Sequence, residues 1–166
     1  MERLLTRIAW FIGLVFVQAF MLNNISLFGL ATPFIYVYLI LVMDRDIDHN
    51  ALMLTAFLLG LMVDVFSNTP GVNAGASVLL AFMRPSLLRL FSPRDEYENF
   101  EPGIYTLGFW AFVRYAAAGV LVHHMALFLL EAFTFVNFGH LLLHALCSSL
   151  LTLLMIVAIE GVRHKR

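Results

Sequence analysis

Residues 60–77, GLMVDVFSNTPGVNAGAS, place an aspartate at the end of a long apolar run, then a turn, then a second apolar run rich in small residues. Asp64 lies thirteen residues after Ala51, about 20 Å along a helix that begins there. Ala56, Gly60 and Asp64 recur every four residues and share one helix face. Small residues at that spacing allow a second helix to approach closely. Pro70 and Gly71 suit a tight reversal, with the glycine accepting positive φ. Asn73 is expected to cap the next helix, leaving Ala74, Gly75, Ala76 and Ser77 to open it. The N–H groups and partial positive charge of that helix end would then face the Asp64 carboxylate. This reads as a structural lock between two helices. The functional alternative is a proton or ion site, since carboxylates within a membrane often mark transport paths.

The surroundings of this hairpin are apolar throughout. Of 166 residues, 61% are hydrophobic and 13% charged, against about 25% charged in ordinary soluble domains. A domain this small cannot hide so much apolar surface from water, so most of it must face lipid. The net charge of −1 gives no hint of a nucleic-acid partner. A single cysteine, Cys147, rules out a disulfide framework within the chain.

A helix crossing the bilayer core needs roughly 20 mostly apolar residues. Segments 5–22, 30–43, 51–67, 73–91, 104–130 and 138–160 are the candidates, in one integral membrane domain, 1–166. The first resembles a signal peptide but lacks a small-x-small cleavage site, and is read as a retained span. The second is short: Thr32-Pro33 looks like a helix start, so it needs Ile25–Ala31 as bent chain or an extension toward Asp48. Irregular backbone at that depth is tolerated only inside protein, which puts this segment within the bundle. Nine of the ten Lys and Arg residues fall at alternate ends of the segments, with Arg114 the exception. By the positive-inside rule both termini are cytoplasmic. The fold class is thus an all-α membrane protein, a bundle of six transmembrane helices. The largest loop, 92–103, reads as a plain solvated connector or a docking site for a cytosolic partner.

Arg114 stands eleven residues after Gly103, about 16 Å into its segment. It should face the bundle and find acceptors. Asp64 lies at a similar depth, so a pair between them is one reading; backbone carbonyls near the second segment, or snorkelling, are the others. Glu131 and Glu160, near segment ends, are placed to reach water. Pro85 within the fourth segment predicts a kink. His124, His140 and His144 gather near one end of the last hairpin and are metal candidates. There is no HExxH and no nearby cysteine, so buried, hydrogen-bonded histidines are the plainer reading. No nucleophile elbow, P-loop or phosphate-binding glycine loop occurs, and no cofactor is expected.

Pro33 followed by FIYVYLILV, then Gly60 and Asp64, then Gly71 and Ala76, resembles the MreD family of rod-shape-determining membrane proteins. The likeness covers roughly residues 30–90 by motif and the rest by topology. It implies a non-enzymatic subunit of the bacterial inner membrane, in the machinery of cell elongation and peptidoglycan synthesis. Its partner would be an MreC-like bitopic protein. Through that partner it would reach MreB, RodA and the elongation-specific penicillin-binding protein. The family is similar in fold to the substrate-binding S-components of energy-coupling-factor transporters, which keeps a ligand-pocket reading open.

Overall fold

A computed structural model describes residues 2–22, 31–92, 100–132 and 138–163. The helices are α1 (Glu2–Phe16), α2 (Val37–Val42), α3 (His49–Ser67), α4 (Val72–Phe91), α5 (Ile104–Leu107), α6 (Phe109–Ala132) and α7 (Phe138–Arg163). A π-helical stretch, Val17–Leu22, continues α1. No strand occurs among the described residues. Most of loop 92–103, the stretch 25–30 expected to lead into the second segment, and the last basic residues lie outside the described residues.

Four helices, α3, α4, α6 and α7, are long and apolar enough to cross a membrane. The apolar part of the first helix with described side chains, Ala9–Leu22, is shorter. The second expected segment departs most from its sequence reading. Pro33 does not begin a helix; the chain stays non-helical to Tyr36, and α2 has only six residues. Thr32 is not the cap, because the N-cap position of α2 is Tyr36, four residues on; the Thr32 N–H donates instead to the Ser148 hydroxyl at 3.0 Å. Every residue from Pro33 to Met43 is buried. The fifth segment is broken near its start by Gly108 at φ +81°, which separates α5 from α6.

Non-helical chain in an apolar interior leaves backbone groups in need of partners. Side chains from two distant helical stretches supply them here. Gln18 donates to the Pro33 carbonyl at 3.0 Å and accepts from the Ile35 N–H at 2.9 Å. Thr152 accepts from the Phe34 N–H at 3.0 Å. The π-helical stretch and α7 therefore grip the buried segment from both sides.

Around that segment α4 packs on α3 and α6, and α6 packs on α7. The inward stripe of α3 is Leu52, Ala56, Leu59, Gly60, Val63 and Asp64, while Leu54, Phe57, Leu58, Leu61, Met62 and Val65 point outward. Large apolar residues outside, with Ala56, Gly60 and Asp64 in the buried stripe, are not the pattern of a water-soluble domain. That outer surface suits lipid. Asp48 caps α3, accepting from the N–H groups of Asn50 and Ala51 at 3.0 and 3.1 Å.

Candidate functional site

The α3–α4 turn reverses the chain through two left-handed residues, Asn68 (φ 56°) and Gly71 (φ 84°). Asparagine and glycine tolerate that region best. The Asp64 carbonyl accepts from the N–H of Asn68, which closes α3, and from that of Thr69 at 3.3 Å.

The Asp64 side chain does something different. Its Oδ1 accepts from the Asn73 N–H at 2.9 Å, the Asn73 side-chain amide at 3.0 Å and the Thr69 hydroxyl at 2.9 Å. Its Oδ2 accepts from the Ala74 N–H at 2.9 Å. Asn73 and Ala74 are the second and third residues of α4, whose N-cap is Gly71, a residue with no side chain to offer. An N-cap side chain ordinarily bonds those same two N–H groups. Asp64 thus caps α4 from the neighbouring helix. Asn73, the expected cap, lies instead two residues past the Gly71 cap position and acts as a donor.

Gly60 makes the geometry possible. A Cβ there would lie 2.5 Å from the Asn73 carbonyl oxygen and 2.6 Å from the Ala74 Cα. Only a residue without a side chain lets the start of α4 sit this close to α3. Ala76 is fully buried, whereas Pro70 and Gly75 are exposed. A Cβ on Gly75 would meet the Leu130 side chain of α6 at 3.1 Å.

The network extends inward from the hairpin. The Tyr36 hydroxyl donates to Asn73 Oδ1 at 2.9 Å and lies 2.9 Å from His123 Nε2. With the phenol proton committed to Asn73, His123 Nε2 carries the proton of the second bond. His123 Nδ1 is then a buried acceptor with no partner among the described residues. His124 adopts the other tautomer: its Nδ1 donates to the Val120 carbonyl at 2.8 Å, and its Nε2 lies 3.1 Å from Thr152 Oγ1. A continuous polar line therefore joins α3, α4, the segment before α2, and α6.

Arg114 is not part of it. It is exposed on α6, and its Nε donates to the Trp110 carbonyl one turn earlier at 3.1 Å. The expected pair with Asp64 does not form, because all four bonds to that carboxylate come from Thr69, Asn73 and Ala74. The buried stripe of α6, Phe112, Tyr115, Ala116, Gly119, Val120 and His123, runs along a face that excludes position 114.

Among the described residues the buried arginine is Arg84, one of the nine basic residues expected at the segment ends. It is 1% exposed. Its guanidinium donates to the carbonyls of Leu41 (3.4 Å), Met43 and Asp44 (3.4 Å), at and just beyond the end of α2. Tyr115 adds a bond to Leu41 at 2.9 Å. A cation from α4 thus completes the carboxyl end of α2, as an anion from α3 completes the amino end of α4. Ser77, Ala81, Arg84 and Leu88 recur at helical spacing on the buried face of α4, and that stripe was the sequence signal for it.

Glu160 also departs from expectation. It is 5% exposed, and it accepts from the Tyr38 hydroxyl, the Ile104 N–H at the start of α5 (3.2 Å) and Arg163 (3.3 Å). Glu131 is exposed. The His140 and His144 rings lie 5.0 Å apart between centroids, tilted by 36°, with Phe128 between His144 and His124. His124 already uses both ring nitrogens, so the three histidines do not converge on one point. No group of three or more metal-ligating side chains occurs among the described residues.

Comparison of the chain with protein-family models, with curated proteins and with solved structures found no match.

Proposed function

We propose that this chain is a non-enzymatic, multi-pass subunit of the bacterial cytoplasmic membrane that works as MreD proteins do in the cell-elongation machinery. In this reading it has six spans, with both termini cytoplasmic, and binds an MreC-like bitopic protein. MreB filaments, RodA and the elongation-specific penicillin-binding protein are reached through that partner. The residues that suggest the family are Pro33, Gly60, Asp64, Gly71 and Ala76.

One observation supports an assembly role over transport. Both oxygens of Asp64 are held by fixed donors from its own hairpin, so the carboxylate is engaged in joining helices. Arg84 and Glu160 are likewise taken up by backbone and side-chain partners of the fold. The chemistry of the interior is spent on rigidity. What it offers a partner is the apolar outer face of helices such as α3, which fits a single transmembrane helix.

A transporter subunit resembling the energy-coupling-factor S-components is the second reading. His123 Nδ1, buried and without a partner among the described residues, favours it, as a ligand could bond there. Purification of the tagged chain in mild detergent separates the two. The assembly reading expects a single-pass protein to co-purify, and depletion of the chain to round rod-shaped cells. Normal complex recovery and cell shape, with failed solute uptake and thermal stabilisation by the solute, would replace it with the transporter reading.

A further inference from the structure

Away from the α3–α4 turn, the loop between α2 and α3, the start of α3 and the second half of α4 border a half-open cavity of about 770 Å³. Among the described residues, Arg45, Arg84, Arg89 and one acid, Asp46, line it, together with His49. The remaining wall is apolar and includes Leu52, Phe82, Met83 and Leu88. Arg84 is committed to backbone carbonyls and fixes the wall, while Arg45 and Arg89 are exposed. Arg45 rests over the Phe100 ring at 5.3 Å, an arrangement that orients its guanidinium without neutralising it. The α3 N-terminus is already capped by Asp48, so any attraction for an anion comes from the arginines.

Two features define the occupant. Guanidinium groups in excess over carboxylates select phosphate, which they bind through paired N–H donors. The cavity's apolar wall runs out past Phe82, 60% exposed on the outer face of α4, where acyl chains would lie. Basic pockets between membrane helices take anionic head groups by this combination. We propose that the cavity binds the phosphate of an anionic lipid head group, with Arg45 and Arg89 holding the phosphate and Phe82 and Met83 meeting the first carbons of the chains. The site does not depend on the assembly reading.

The test uses the whole protein in phosphatidylcholine nanodiscs, with phosphatidylglycerol or inorganic phosphate added in separate arms. Native mass spectrometry and the thermal midpoint report binding. Phosphatidylglycerol is expected to stay bound and raise the midpoint, and inorganic phosphate to do neither. Arg45→Gln and Arg89→Gln should each weaken retention about fivefold, and Arg114→Gln should leave it unchanged. A photoactivatable phosphatidylglycerol should cross-link within residues 82–89 of the unmodified chain. Stabilisation by inorganic phosphate equal to that by lipid would make this a soluble-anion site and overturn the lipid assignment. Unchanged retention when Arg45→Gln and Arg89→Gln are combined, or cross-links confined to other helices, would remove the site altogether.

Discussion

A Cβ on Gly60 would sit 2.5 Å from the carbonyl oxygen of Asn73, closer than side-chain carbons approach backbone oxygens in folded proteins. Gly60→Ala must therefore push the start of α4 away from α3 and lengthen the bonds to Asp64. The expected loss is roughly 1–3 kcal/mol, the usual cost of overpacking a tight contact. Thermal unfolding in detergent measures it. Gly139→Ala, in α7 where nothing lies within 4 Å, is the control, expected to be neutral or slightly stabilising.

Asp64→Ala leaves the N–H groups of Asn73 and Ala74 buried without acceptors. Each such orphan costs about 1–3 kcal/mol, so the folded yield should fall sharply. Asp64→Asn keeps the shape but turns one acceptor into a donor facing donors, and should recover only part of the loss. Hydrogen exchange at the first turn of α4 reads this directly: both variants should exchange faster there than at Leu80.

Arg84→Gln should destabilise by about 2 kcal/mol or more, since the carbonyls of Leu41 and Met43 lose charged donors. Arg114→Gln should be within about 0.5 kcal/mol of the parent, as expected at a surface site. The double exchange of Asp64→Arg with Arg114→Asp should restore nothing, because the two positions share no bond. Recovery of stability in that double variant would contradict the geometry described for both.

Thr152→Val removes the hydroxyl that accepts from the Phe34 N–H and meets His124. A loss of about 1–3 kcal/mol is expected, with Thr152→Ser close to the parent. Equal melting temperatures for the valine and serine variants would show that the buried segment finds other partners.

The hairpin was legible because its determinants are local. Four-residue spacing fixes the shared face of Ala56, Gly60 and Asp64, and Gly71 supplies the left-handed turn. The partial helix after Pro33 was legible in outline, since too few apolar residues follow to span a membrane. Where it begins was not, because its start depends on Gln18 and Thr152, far away in sequence. The arginines were exchanged for a similar reason. Depth follows from counting residues, but azimuth needs the whole buried stripe. Read along Phe112, Tyr115, Ala116 and Gly119, position 114 falls outside; along Ser77, Ala81 and Leu88, position 84 falls inside.

The non-helical stretch before α2 has a consequence for how the protein is made. Two of its amides bond to Ser148 and Thr152, which leave the ribosome more than a hundred residues later. Until α7 has been inserted, that stretch must borrow water or insertion machinery for its hydrogen bonds. Completion of the first half of the molecule thus waits on the synthesis and insertion of α7, and a nascent chain halted before it would carry an open polar seam.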